Sequence, residues 1–191
     1  MSVPAVILAG GLARRMGGGD KGRLVVAGRS LVERVVDRLA PQAGPLALNA
    51  NGDPGRWADL GLPVLPDDVP GRPGPLAGVL AGMEWAAELG AEAVVSAAAD
   101  TPFLPEGLVA GLVAARPASG LVLARAGGRA QPTVGLWPVA LRADLRAALE
   151  GGTRKVLDWT DRHGAGLADF PADAFFNVNT PEDLAAAEGL A

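Results

Sequence analysis

Cysteine is absent from the 191 residues, and histidine occurs once, at His163. Without thiols the chain can form no disulfide, no thiolate metal site and no cysteine nucleophile, which agrees with a reducing cytoplasm. The lone histidine sits in a polar turn beside Gly164 and reads as a surface residue, not a catalytic base. A basic excess is lacking too. Seventeen lysines and arginines against 21 aspartates and glutamates leave a net charge of −4, which argues against general nucleic-acid binding. No apolar run is long enough to cross a bilayer, and no basic segment followed by an apolar one marks a secretory leader. The expectation is a soluble, cytoplasmic protein without nucleic-acid or membrane partners. Its length suits one domain over residues 1–191, large enough to bury a sizeable core.

What the chain does have is an alternation of strand and helix signals from end to end, with no internal repeat. Apolar runs at Val3 to Leu8, Leu46 to Leu48, Val64-Leu65, Ala93 to Ala99 and Leu121 to Ala124 read as strands. Helical spacing recurs after Ser30, Pro75, Pro105 and Leu141, and again before Arg162. Ser30 with Glu33 forms a capping-box pattern, and Thr180-Pro181 with Asp183 forms another helix start. Gly127-Gly128 suits a hairpin into Gln131 to Trp137, so the sheet should be mixed. This pattern predicts an α/β fold, a three-layer Rossmann-like sandwich around a mainly parallel, mixed central sheet.

The stretch from Leu8 to Gly22 follows the first strand and gathers glycines with Arg14, Arg15 and Lys21. Glycines let a backbone approach a ligand closely and turn successive N–H groups into one concavity, so the stretch has the makings of a phosphate cradle. Neither familiar phosphate loop matches. Lys21 is followed by Gly22 instead of a hydroxyl residue, and Gly10, Gly11 and Gly17 lack the dinucleotide spacing. Read alone, the stretch is equally compatible with a glycine loop carrying solvated charges.

Other candidates lie at strand ends, where open α/β sheets bind ligands. Asn49 stands at the end of the second main strand, and Asn51 beyond it suits a turn. Asp100 follows the alanine-rich strand and is placed either to hold a hard divalent cation or to serve a turn. Asn177 and Asn179 alternate on an expected strand and so face one side. Thr153 can cap a helix with Arg154 and Lys155 in its first turn, which suits a bound anion or two solvated charges. Met83 and Trp85 read as packing residues, whereas Trp57 and Trp159 suit either an interface or local packing.

In order along the chain, Leu8-Ala9-Gly10-Gly11, Arg15-Met16-Gly17, Asp20-Lys21-Gly22, Asn49-Ala50-Asn51, Pro73-Gly-Pro-Leu-Ala-Gly78, Asp100-Thr101-Pro102, Pro132-Thr133 and Asn177-Val-Asn179-Thr-Pro181 form a set. With this set the chain resembles the nucleotidyltransferase superfamily, whose fold is that of the nucleotide-diphospho-sugar transferases, and within it the molybdenum cofactor guanylyltransferases. The resemblance implies transfer of GMP from GTP to molybdenum-molybdopterin, with pyrophosphate released. It implies that Leu8, Ala9, Gly10 and Gly11 lie along the nucleotide and that Lys21 contacts its phosphates. Asn49 and Asp67 would help bind GTP, with Asp68 as an alternative to Asp67, and Asp100 would hold Mg2+. Lys21, Arg15 and Asp100 are the expected catalytic groups.

The second substrate is expected around Gly74, Pro75, Leu76, Gly78, Pro132, Thr133, Arg154, Lys155, Asn177 and Asn179. Attack by a phosphate monoester needs positioning and charge neutralisation but no histidine base, in keeping with the single histidine. A cytidylyltransferase for molybdopterin, a sugar-phosphate nucleotidyltransferase and a non-catalytic nucleotide-binding adaptor stand as alternatives. Leu-Ala-Gly-Gly resembles the guanylyl branch. Proteins that deliver or accept the cofactor, and a monomeric or weakly self-associating state, are left open by the sequence.

Overall fold

Ala5–Leu8 forms β1, and its four residues are all buried, as a strand covered on both faces must be. A computed structural model describes residues 2–10, 19–69 and 74–191. β1 pairs in parallel with β4 (Leu46–Asn49) on one side and with β6 (Ala93–Ala98) on the other. β5 (Val64–Leu65) continues the sheet beyond β4. On the far side, β6 pairs antiparallel with β8 (Arg129–Pro138), which in turn pairs antiparallel with β7 (Val122–Ala126). β9 (Gly166–Phe170) joins β7 in parallel, giving the order β5-β4-β1-β6-β8-β7-β9. Only β8 opposes the rest, so the sheet is mixed and mainly parallel, as expected.

Helices cover both faces. Ala5 and Ile7 face α1 (Leu31–Leu39) and α3 (Leu108–Ala114), where Val32, Val35, Leu39, Leu108 and Leu112 share one core. Val6 and Leu8 face α2 (Pro75–Glu88), with α4 (Arg142–Glu150) and α5 (Val156–Arg162) completing a second core around Leu80, Met83, Trp137 and Trp159. The alternation of one strand's side chains between two cores is what period-2 geometry requires. Two indoles expected either at an interface or in local packing, Trp57 and Trp159, prove to be buried in these cores.

Local signals explain several boundaries. Ser30 accepts from the Glu33 amide while Glu33 accepts from the Ser30 amide, closing the expected capping box on α1. Thr180 and Asp183 do the same for α6 (Pro181–Glu188). The short strands β2 (Val25–Val26) and β3 (Arg29–Ser30) turn back at Ala27-Gly28, both at positive φ. A small satellite core of Val26, Leu31, Val178 and Ala187 joins this hairpin to α6.

Four expectations are corrected. α3 starts at Leu108, not at Pro105, because Pro105 and Glu106 belong to the preceding turn. Residues 177–179 form no strand; they run as an irregular segment whose Val178 amide donates to the Asp100 carbonyl at 2.9 Å. Thr153 does not cap α5, since the cap position is Lys155. His163 is a packing residue more than a surface one: its ring lies 4.4 Å from Trp159 and Nε2 is 2.7 Å from Asp144 Oδ1.

Candidate nucleotide-binding cleft

β1, β4 and β6 run side by side in one direction, and the chain leaves their ends through Ala9-Gly10, Ala50-Asn51 and Ala99-Asp100. From β1 the order proceeds through β4 to β5 on one side, then crosses back to β6 on the other. That reversal opens a crevice beyond the carboxyl ends of the strands. The crevice is a cleft of about 760 Å³. Leu8, Ala9, Gly10, Lys21, Asn49, Asp67, Gly74, Pro75, Asp100, Thr133 and Asn177, all expected at the site, line it. Gly11 and Arg15 lie outside the described residues, as does Pro73.

Lys21 opens a single 3₁₀ turn, Lys21–Arg23, laid against the end of β6. A side chain on Gly22 would bring Cβ to 3.2 Å from Ala99 Cβ, so glycine and alanine together permit the close approach. Arg23 anchors the same turn by packing its guanidinium 4.4 Å from the Trp57 ring and bonding Asp59 at 2.7 Å. Lys21 is thereby delivered to the cleft floor, where Nζ lies 2.5 Å from Asp100 Oδ2 and also donates to Asn179 Oδ1.

The two asparagines of Asn177-Val178-Asn179 reach the site without a strand. Val178 inserts into the satellite core, which leaves its neighbours on the opposite side of the backbone. Asn177 Oδ1 accepts from the buried Thr101 hydroxyl at 3.0 Å, and Asn179 Oδ1 meets Lys21. Asp183 secures this segment, accepting from the amides of Asn179 at 2.8 Å and Thr180 at 2.9 Å. The Asn179 amide first, and the Thr180 amide with it, hold the Asp183 carboxyl below the usual carboxylate range.

On the β4 side, Asn49 is buried and its amide donates to Leu65 O at 3.0 Å and to Asp67 Oδ1 at 2.9 Å. Asp67 faces the cleft. Asp68 does not line the cleft and bonds Arg146 at 2.8 Å on the surface. Gly78 in α2 does not line the cleft but shapes it from behind: a Cβ there would stand 2.1 Å from Asn49 Oδ1.

The remaining expected residues are elsewhere. Leu76 is fully buried in the α2 core, and Pro132 sits on β8 outside the cleft beside Thr133. The Arg154 guanidinium lies outside the cleft lining and bonds Leu149 O at 2.7 Å, in the last turn of α4, and Thr153 O at 2.8 Å beyond it. Lys155 is exposed and lies outside the cleft lining. Residues that sequence reasoning left without a role also line the cleft: Asp20, Asn51 and Arg56. Asp20 adjoins Lys21 in an identified motif, but a solitary Arg56 in the 3₁₀ helix Pro54–Leu60 carries no signal until the fold places it 3.4 Å from Asp20.

A strand-end cleft of this kind, with a lysine and a carboxylate on its floor, is the ligand-site position of an open α/β sheet. The chain belongs to the MobA-like NTP transferase family, whose domain model matches residues 5–165. It is 56% identical over 198 residues to the molybdenum cofactor guanylyltransferase of Bradyrhizobium sp., with 100% of this chain and 93% of that protein covered. The Cereibacter sphaeroides molybdenum cofactor guanylyltransferase is 53% identical over 191 residues, covering 100% of this chain and 97% of that one. The fold is shared with the crystal structure of molybdopterin-guanine dinucleotide biosynthesis protein A from Archaeoglobus fulgidus, at a TM-score of 0.74, 23% identity and 98% coverage of both chains.

Proposed function

We propose that this protein is a guanylyltransferase that joins GMP from GTP to the terminal phosphate of molybdenum-molybdopterin. A phosphate oxygen of the pterin attacks the α-phosphorus of GTP, the bond to the bridging oxygen of the β-phosphate breaks, and pyrophosphate leaves. The observation that carries the reading is full-length identity of 53–56% to proteins bearing that activity in their names. The geometry supports it: a lysine, a carboxylate and two amides converge at the ends of β1 and β6, and no titrating base is required of a nucleophile that is already anionic.

The residues present fit a magnesium ion. Asp100 Oδ2 and Asn179 Oδ1 already converge on one cation, the Lys21 ammonium, and Ala98 and Ala99 leave space beside them. Among the described residues no cluster of three or more acidic or histidine side chains is suited to a metal. Mg2+ takes one or two protein carboxylates and completes its shell with phosphates and water. Asp100 would hold the ion, which when bound neutralises phosphate charge. Lys21 then moves its ammonium onto the triphosphate, Leu8, Ala9 and Gly10 lie along the nucleotide, and Asp67 holds the nucleoside end.

Release of pyrophosphate with molybdenum-molybdopterin, Mg2+ and each of GTP, CTP, ATP and UTP tests the assignment. Turnover with GTP well above the other three is expected. Preference for CTP would transfer the protein to a cytidylyl role, and silence with all four would leave a binding protein. A cytoplasmic location belongs to the same proposal, and among the described residues no helix is long and apolar enough to span a membrane.

A further inference from the structure

Asn51 lies in an exposed, irregular link between β4 and the 3₁₀ helix Pro54–Leu60, and an asparagine in such a link ordinarily bonds the backbone two residues on. This one does not. Its Nδ2 donates to Asp67 Oδ2 at 2.7 Å, and its Oδ1 accepts from the Asp67 main-chain amide at 2.9 Å. The two residues are 16 apart in sequence and are joined side chain to side chain and side chain to backbone in one closed ring. Asn49 Nδ2 takes the other carboxylate oxygen at 2.9 Å. Each Asp67 oxygen therefore receives one amide N–H, and the carboxylate plane is set by two asparagines on one strand end.

The Asn51 backbone is held in turn, since Arg56 Nη2 donates to its carbonyl at 3.1 Å and Gly52 beside it takes φ +88° to let the chain turn away. From this geometry we infer that Asn51 is a positioning residue for nucleotide binding: it never needs to touch the ligand, and it aims the cleft-facing lone pairs of Asp67 at a pair of N–H or O–H donors on the nucleoside. The inference rests on the proposed nucleotide site. A carboxylate that accepts one bond per oxygen from the protein keeps a second acceptor position on each oxygen, side by side. Fixing that plane before the ligand arrives removes the cost of ordering it on binding.

Calorimetric titration of Mg-GTP into the wild type, Asn51→Ala, Asn51→Asp, Asp67→Ala and the Asn51→Ala/Asp67→Ala double variant tests this. Asn51→Ala is expected to weaken binding about tenfold, the scale of one hydrogen bond to a charged group. Asn51→Asp, identical in shape, should weaken it at least as much, because it loses the donor and sets a like charge against Asp67. The double variant should bind as Asp67→Ala does, since Asn51 acts only through that carboxylate. In steady state KM for GTP should rise in Asn51→Ala with kcat within about twofold, the signature of lost ground-state binding. The thermal midpoint should stay unchanged. Wild-type affinity in Asn51→Ala, or losses that add in the double variant, would overturn the inference while leaving the nucleotide site intact. A wild type that binds no GTP overturns the site and the inference together.

Discussion

Lys21 Nζ stands 2.5 Å from Asp100 Oδ2 across 79 residues of sequence, with only 12% of the lysine side chain and 22% of the aspartate exposed. The pair joins the glycine-rich stretch after β1 to the end of β6, and it sets the cation and carboxylate required by the proposed chemistry against each other. Asp100→Ala should lower kcat about a thousandfold and Lys21→Ala about a hundredfold, as expected for groups that neutralise charge developing on transferred phosphate. Pyrophosphate release under saturating GTP measures both. Wild-type turnover in either variant removes that residue from the site.

Gly78 is the point where α2 touches the cleft wall. Replacing a helical glycine with alanine ordinarily stabilises by about 1 kcal/mol. Here the sign should reverse, because the new Cβ would stand 2.1 Å from Asn49 Oδ1 and 2.9 Å from Leu8 Cδ2. Gly78→Ala should cost about 2 kcal/mol through overpacking, read from the midpoint of urea unfolding, and should weaken GTP binding as the Asn49 amide is displaced.

Acid should loosen the Asn179 segment. The Asp183 carboxyl lies below its ordinary range because the Asn179 and Thr180 amides donate to its charged form. A carboxyl with a depressed folded pKa contributes stability that is fully present above the unfolded value, about pH 4, and is lost as pH falls through the folded value. Asp183→Asn should therefore flatten the fall of the melting temperature below about pH 4. An unchanged acid limb would show that the cap contributes nothing to this dependence.

Ser96 is fully buried, and its Oγ accepts from Trp137 Nε1 at 2.7 Å while donating to Thr133 O at 2.9 Å. The hydroxyl ties β6 to β8 at the point where Thr133 reaches the cleft. Ser96→Ala leaves the indole N–H buried without a partner and should cost about 1–3 kcal/mol. Chemical denaturation would register it, and a loss below about 0.5 kcal/mol would mean the indole finds another acceptor.

Much of the framework was legible because its signals are local. Capping boxes at Ser30 and Thr180, the Gly127-Gly128 hairpin and the buried runs of β1 and β6 each depend on residues within one or two turns of one another. β9 was missed: Gly166–Phe170 is short, half-exposed and carries two aspartate-flanked positions, so its strand character comes from pairing with β7. The irregular course of residues 177–179 was misread as a strand for a related reason. Their alternation is real, but it serves Val178 in one core and two amides in the cleft, with no neighbouring strand to pair.

The site divides along the same line. The sequence by itself determined which residue types are present, that Lys21, Asp100 and Asn179 belong to ordered motifs, and that several strands end in polar residues. Only tertiary structure decided that Arg154 bonds the Leu149 carbonyl of α4, that Asp67 faces the cleft while Asp68 bonds Arg146, and that Asn51 bonds Asp67 instead of closing a turn. Those assignments are set by which long-range partner lies within hydrogen-bond reach. A distance of about 3 Å between residues far apart in the chain is a property of the packed sheet and its loops, and no local pattern encodes it.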